Sequence, residues 1–355
     1  MARRIGFGKA AIAVIAAIAA LGSTTAAAKT PGEALAEAVK VNPAIFSPGK
    51  DPYPAHPVAF AGGVTGWPDL TYQILTGYRP GKLDLYLPPE RFKGPRPVIV
   101  FIHGGGWVGG GNRFSGAFDN WPDVLAAMAA HGYVVAAVSY RFSGEAPFPA
   151  AAQDVKAAIR WLRANAGQYR IDKARFATLG GSAGGQLAAL VATSCGAAAL
   201  EPAAATGPGN ATVEHPRAGV NDPSSQSDCV QAGVAWYGVF DFRTMPGRGA
   251  ELAYLGCKAD ACSDDRKLAA SAVHYLDAKT PPLLLIAGTL DRTVPPSQTT
   301  DFYAAMQKAG LPSQMLMIPG VDHSFIGANG EATRAASRLA LARSMDFIDG
   351  VIGDR

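Results

Sequence analysis

At 355 residues, with 48% hydrophobic and 17% charged side chains, the chain can bury a large core, which excludes a disordered polymer, a coiled coil and a small protein held by disulfides alone. Its 41 Gly and 26 Pro show no Gly-X-Y period and fall between apolar runs, as turns do. The formal charge of +4 drops to +1 when residues 1–28 are set aside, because that segment holds three cations, Arg3, Arg4 and Lys9, and no acid. No Lys/Arg stripe with interleaved aromatics remains to follow a phosphate backbone, so no nucleic-acid partner is expected.

Chain order begins with a basic start at Arg3-Arg4, an apolar stretch over 10–21, and the small residues Ala26-Ala27-Ala28 before Lys29. This is the pattern of an export signal cleaved after Ala28. It leaves residues 29–355 as one domain in the periplasm or outside the cell, with Arg3-Arg4 leaving the export route open. The apolar stretch is short for a bilayer, and no later run reaches that length, so no stable membrane span is expected.

From residue 70 onward, short β-rich runs alternate with helical stretches, the mark of a mostly parallel sheet covered by helices. Eight strands are expected, at 70–75, 83–87, 98–102, 134–139, 176–179, 230–237, 283–287 and 315–318, the first two as an antiparallel hairpin. Helices are expected at 122–130, 148–165, 183–194, 297–309 and 332–348. The second of these carries Val155, Ala158, Ile159 and Leu162 on one stripe. Two stretches interrupt the alternation. Residues 196–228, rich in Ala, Pro, Ser and Asn, read as a surface loop. Residues 241–280, with helical fragments, fall after the sixth strand, where a small cap over a site is expected.

Cys195, Cys229, Cys257 and Cys262 in an exported chain favour disulfides, and their spacings suit no metal site. Each of the pairs Cys195–Cys229 and Cys257–Cys262 brackets one loop-like stretch, which favours that connectivity.

The chemistry is concentrated in four places. Gly180-Gly181-Ser182-Ala183-Gly184 lies between a strand and a small-residue helix, the setting of a nucleophile elbow that presents a serine hydroxyl at a helix start. His103-Gly104-Gly105-Gly106-Trp107 follows another strand. The backbone N–H groups of Gly105 and Gly106, with that of Ala183, are the expected oxyanion donors. Gly104-x-Gly106-x-x-Gly109 also satisfies the dinucleotide fingerprint, but no helix opens there. A serine nucleophile needs a base and an orienting acid, and Asp291 and His323 follow in that order, each just past the end of a strand. Asp322 and Asp241 are the alternative acids, while His56, His131, His215 and His274 fall in loop, helix-end or cap settings. Neither a phosphate loop nor an H-E-x-x-H helix occurs, so no nucleotide, metal or other cofactor is called for. Trp107, Trp236, Tyr237 and Phe325 stand near the loop edge as candidate substrate-binding residues, though each can equally pack the core.

Leu83-Asp-Leu-Tyr-Leu-Pro88, His103-Gly-Gly-Gly-Trp107, Tyr140-Arg141, Phe148-Pro149-Ala150 with Asp154, Gly180-Gly-Ser-Ala-Gly-Gly185, Gly288-x-x-Asp291 and Gly320-x-x-His323 together resemble the α/β-hydrolase carboxylesterases. They are similar to the esterases with an HGGGW oxyanion motif, a group that includes hormone-sensitive-lipase-like and bacterial acyl and feruloyl esterases. Gly181 stands where the hormone-sensitive-lipase-like group usually has Asp, and the HGGGW form is nearer the acyl-esterase branch. The resemblance runs from about residue 70 to the C-terminus. It implies an α/β-hydrolase fold, the triad Ser182, Asp291 and His323, and hydrolysis of small carboxylic esters through an acyl-enzyme. A serine peptidase of the same fold and a noncatalytic hydrolase-like binding module are the competing expectations.

Overall fold

In the computed structural model, which describes residues 56–202, 222–258 and 261–354, the organising element is a strand with no exposed residue, β4 (Arg96–Ile102). Its side chains alternate between two apolar layers. Val98, Val100 and Ile102 enter one core, and Ile99 and Phe101 enter the other, as a strand covered on both faces requires. Around it are β1 (Val58–Phe60), β2 (Val64–Gln73), β3 (Gly81–Leu87), β5 (Val134–Val138), β6 (Ile171–Gly181), β7 (Ala232–Trp236), β8 (Leu283–Gly288) and β9 (Ser313–Ile318). They form one sheet in the order β1-β2-β3-β5-β4-β6-β7-β8-β9. The β1–β2, β2–β3 and β3–β5 pairs are antiparallel, and the pairs from β5 through β9 are parallel.

This is the expected mostly parallel sheet with one strand more than the eight read from sequence. The addition, β1, has three residues, none of them buried. An exposed edge strand that short carries no apolar run to mark it.

The principal helices are α1 (Trp121–Ala130), α2 (Ala150–Ala164), α3 (Ala183–Thr193), α4 (Gly249–Leu255), α5 (Asp264–Ala269), α6 (Ser297–Lys308) and α7 (Gly330–Ile352). Buried side chains of α2, α3 and α6 belong to one core and those of α1 and α7 to the other, so helices cover both faces. Side-chain caps explain where two of them begin. Asn120 Oδ1 accepts the Asp123 N–H at the start of α1. Asn329 Oδ1 accepts the Ala332 N–H at 2.9 Å, which starts α7 earlier than its apolar pattern indicates.

The Tyr140-Arg141 and Asp154 motif positions are joined inside the protein. The Asp154 carboxylate accepts the Arg141 backbone N–H at 2.8 Å and its guanidinium at 2.7 Å, fastening the chain after β5 to α2. Residues 241–280 hold α4, α5 and single 3₁₀ turns at Phe242–Thr244 and Ala272–Tyr275. Disulfides join Cys195 to Cys229 and Cys257 to Cys262. Part of the 196–228 loop and the whole of residues 1–28 lie outside the described residues. Among the described residues, no helix is long and apolar enough to cross a membrane.

Candidate active site

Parallel registry aligns the strand ends that carry the motifs. Ile102 pairs with Gly180, Gly181 with Trp236, and Gly288 with Ile318. The segments that follow β4, β6, β8 and β9 therefore emerge at one sheet edge, where α/β folds place their sites.

Ser182 links β6 to α3 with φ 58° and ψ −123°, a left-handed backbone that costs a non-glycine residue about 1–3 kcal/mol. The turn is too crowded for side chains on its flanks. A Cβ at Gly180 would strike the Gly184 carbonyl and lie 2.7 Å from the Ile102 carbonyl, and one at Gly184 would strike that same Ile102 carbonyl. The Ser182 N–H donates to the Trp236 carbonyl at 2.9 Å. Its hydroxyl lies 2.9 Å from His323 Nε2, and His323 Nδ1 lies 2.8 Å from Asp291 Oδ2.

Asp291 is aimed by its own loop. Its Oδ1 accepts the N–H groups of Thr293 at 2.9 Å and Val294 at 2.8 Å, which leaves Oδ2 for the imidazole. The Asp291 side chain is fully buried, whereas that of His323 is 17% exposed. Asp291 is thus shielded from water while His323 reaches the surface.

The glycine loop runs directly against the elbow. A Cβ at Gly104 would sit 2.9 Å from the Gly181 carbonyl and 3.4 Å from Ser182 Cβ. Gly105 and Gly106 have φ of 120° and 60°, and the loop closes through Val108 and Gly109 N–H bonds, both 3.2 Å, to the Gly105 carbonyl. His103 anchors this curl from below. Its Nδ1–H donates to the Gly104 carbonyl at 2.7 Å, and its ring stacks on Tyr140 with centroids 4.4 Å apart. Burial holds its pKa down at about 4, so the ring is neutral near pH 7.

Of the four aromatics expected around substrate, Tyr237 is the one placed against His323, the two rings edge-to-face at 4.7 Å. Burial pushes its phenol well above the usual range. The other three pack inward. Trp107 stacks on Tyr254 at 4.6 Å and donates its indole N–H to Gln186 Oε1 at 3.0 Å. Trp236 donates to Ser344 Oγ at 2.9 Å and meets Phe325 at 5.6 Å. A buried indole needs a partner for its N–H, and here α3 and α7 supply it. Of the alternative acids, Asp241 pairs with Arg243 at 2.7 Å, and Asp322 engages Arg292. Sequence reasoning passed over Gln186, whose amide also donates to the Ala270 carbonyl at 2.9 Å. Its signal was available: it is the one uncharged amide in an otherwise small or apolar stretch of α3.

The chain matches the family described as BD-FAE over residues 83–306. It is 28% identical to esterase LipQ of Mycobacterium tuberculosis over 286 residues, 79% of this chain and 61% of that protein. The chain thus spans about three-fifths of the length of that curated relative. Its fold superimposes on a truncated carbohydrate esterase from gut microbiota with a TM-score of 0.64 at 23% identity, covering 82% of this chain and 98% of that one. It also superimposes on the thermophilic esterase Est2 of Thermogutta terrifontis, with a TM-score of 0.60 at 25% identity over 83% of this chain and 92% of the other. A family match that includes the glycine loop, the elbow and the Asp291 loop, on a sheet of this topology, establishes that the chain belongs to the BD-FAE family, a family of α/β-hydrolases.

Proposed function

We propose that the protein is an exported serine carboxylesterase that hydrolyses small carboxylic esters through an acyl-enzyme. The observation that carries this reading is the continuous relay from Asp291 Oδ2 through the His323 ring to Ser182 Oγ, with links of 2.8 and 2.9 Å. His323 Nε2 takes the Ser182 proton as Oγ attacks the ester carbonyl carbon. The N–H groups of Gly105, Gly106 and Ala183 receive the oxyanion. On collapse the ester C–O bond breaks, and the alcohol leaves with the proton held by His323. A water then repeats the sequence on the acyl-enzyme, releasing the acid and restoring the serine. Asp291 keeps Nδ1 protonated and the ring oriented throughout.

Supporting an ester substrate are the esterase names of the similar proteins. Residues 241–280 act in this reading as a small cap on the 29–355 domain, since Tyr254 of α4 stacks on Trp107 beside the glycine loop. Export after cleavage at Ala28 accords with two disulfides.

Hydrolysis of a short-chain p-nitrophenyl ester, with fluorophosphonate labelling in parallel, tests the reading. Ser182→Ala is expected to lose activity by a factor on the order of 10⁶ and all labelling, with an unchanged circular dichroism spectrum. Turnover or labelling that survives the substitution rejects it. Cleavage of amides without ester preference favours the peptidase alternative.

A further inference from the structure

We infer that Asp322 is a positioning residue whose carboxylate, with Arg292, clips the loop bearing the base His323 to the loop bearing the acid Asp291. The inference rests on the esterase reading of those two residues. Asp322 directly precedes His323, and neighbours in sequence do not aim their side chains at one another, so it is poorly placed to orient the imidazole itself. The structure gives it a different task. One carboxylate oxygen, Oδ1, accepts both the Arg292 N–H at 2.9 Å and the His323 N–H at 2.7 Å. The other, Oδ2, accepts Arg292 Nε at 2.7 Å and also meets Arg292 Nη2. Residue 292 follows the acid and residue 323 is the base, so a single carboxylate binds the backbone on both sides of the couple.

The backbone supports the same registry. Thr289 N–H donates to the Ile318 carbonyl and Leu290 N–H to the Val321 carbonyl, each at 3.0 Å. A Cβ at Gly288 would strike the Val321 carbonyl, so the two loops approach as closely as glycine permits. The arrangement is also electrostatic. The groups facing His323 are Asp291 at Nδ1, Ser182 at Nε2, the neutral ring of Tyr237, and the Asp322–Arg292 pair at its backbone. Arg248 adds a cation behind the Arg292 carbonyl at 3.5 Å. Acceptance of the Arg292 and His323 N–H groups, with the Arg292 guanidinium, holds the Asp322 pKa down at about 2. The clip therefore stays anionic at any working pH.

The test uses the full chain and three variants. Asp322→Ala removes the clip, with kcat falling about tenfold or more for the misplaced base and KM moving less than about twofold. Asp322→Asn keeps a carbonyl oxygen for both N–H groups but removes a negative charge near the imidazole. Its acidic limb of the kcat/KM profile moves to lower pH by roughly 0.5 unit. Arg292→Ala, at a side chain that is 87% exposed, leaves the carboxylate without its cation and moves the limb upward by a similar amount. The His323 imidazole titration, followed by NMR, should show the same two opposed displacements. It decides the inference even if the wild type hydrolyses no ester and labels with no fluorophosphonate, an outcome that would reject the esterase reading alone. Should Asp322→Ala fail to fold, the opposed pair still decides. Displacements that are absent or of like sign, a wild-type kcat in Asp322→Ala, or a lowered melting temperature with neither limb moved, would each overturn the proposal.

Discussion

A Cβ added at Gly181 would lie 2.8 Å from the phenol oxygen of Tyr237 and 3.0 Å from two of its ring carbons. Position 181 is therefore coupled to His323, because the same ring meets His323 and Phe325 at 4.7 Å each. The room that an acidic side chain at this motif position needs is filled here by tyrosine. Gly181→Ala should cost about 1–3 kcal/mol through overpacking and lower kcat by pushing the ring toward His323. Tyr237→Leu clears that space, so a double-mutant cycle by urea denaturation should give a favourable coupling of about 1 kcal/mol or more. Strict additivity would show that the two residues do not contend for the same volume.

His103 predicts an acid-sensitive stability. Its folded pKa near 4, lowered by burial from 6.5, means that the unfolded chain binds the proton first as pH falls. The contribution is complete above pH 6.5, is lost between 6.5 and 4, and amounts to about 3 kcal/mol in all before levelling off below 4. Carboxylates add their own slopes, so the measurement is a difference. Denaturation of the wild type and His103→Gln at pH 7, 5.5 and 4 should show the wild type losing more stability by up to that amount. Parallel curves would mean that His103 takes up a proton in the folded state as easily as in the unfolded one.

The parallel half of the sheet and the order of Ser182, Asp291 and His323 are legible in the sequence because each depends on a local rule. Doubly covered strands read as unbroken apolar runs, as β4 does; Ser182 follows directly on the buried end of β6, and Asp291 and His323 come three and five residues past the ends of β8 and β9. Information fails where the deciding partner is distant. An aromatic residue near a strand end has the same sequence signature whether it faces substrate or core. Trp236 is assigned to the core by Ser344, 108 residues away, and Trp107 by Gln186, 79 residues away. Arg292 belongs to no motif, and its value lies in reaching a carboxylate 30 positions along the chain.

The two disulfides should divide stability and activity differently. Cys195–Cys229 closes a separation of 34 residues and Cys257–Cys262 one of 5, for which loop-closure entropy gives about 4 and about 2 kcal/mol. The longer bridge lies beyond the C-terminal end of α3, far along that helix from Ser182. Nearby, the buried Lys156 ammonium donates to the Ser194 carbonyl and to Asp228, both at 2.6 Å, and helps to hold the junction. Replacing both cysteines of this pair with serine should lower the denaturation midpoint more and leave kcat within about twofold of wild type, since nothing at the elbow depends on the bridge. The shorter bridge directly follows α4, whose Tyr254 stacks on Trp107 beside the glycine loop. Its loss should cost less stability but more turnover, because α4 loses an anchor next to the glycine loop. Urea midpoints and p-nitrophenyl ester kinetics on the two double-serine variants check both halves. A larger midpoint loss for the five-residue loop would show that strain or residual unfolded structure, rather than loop closure, governs these crosslinks.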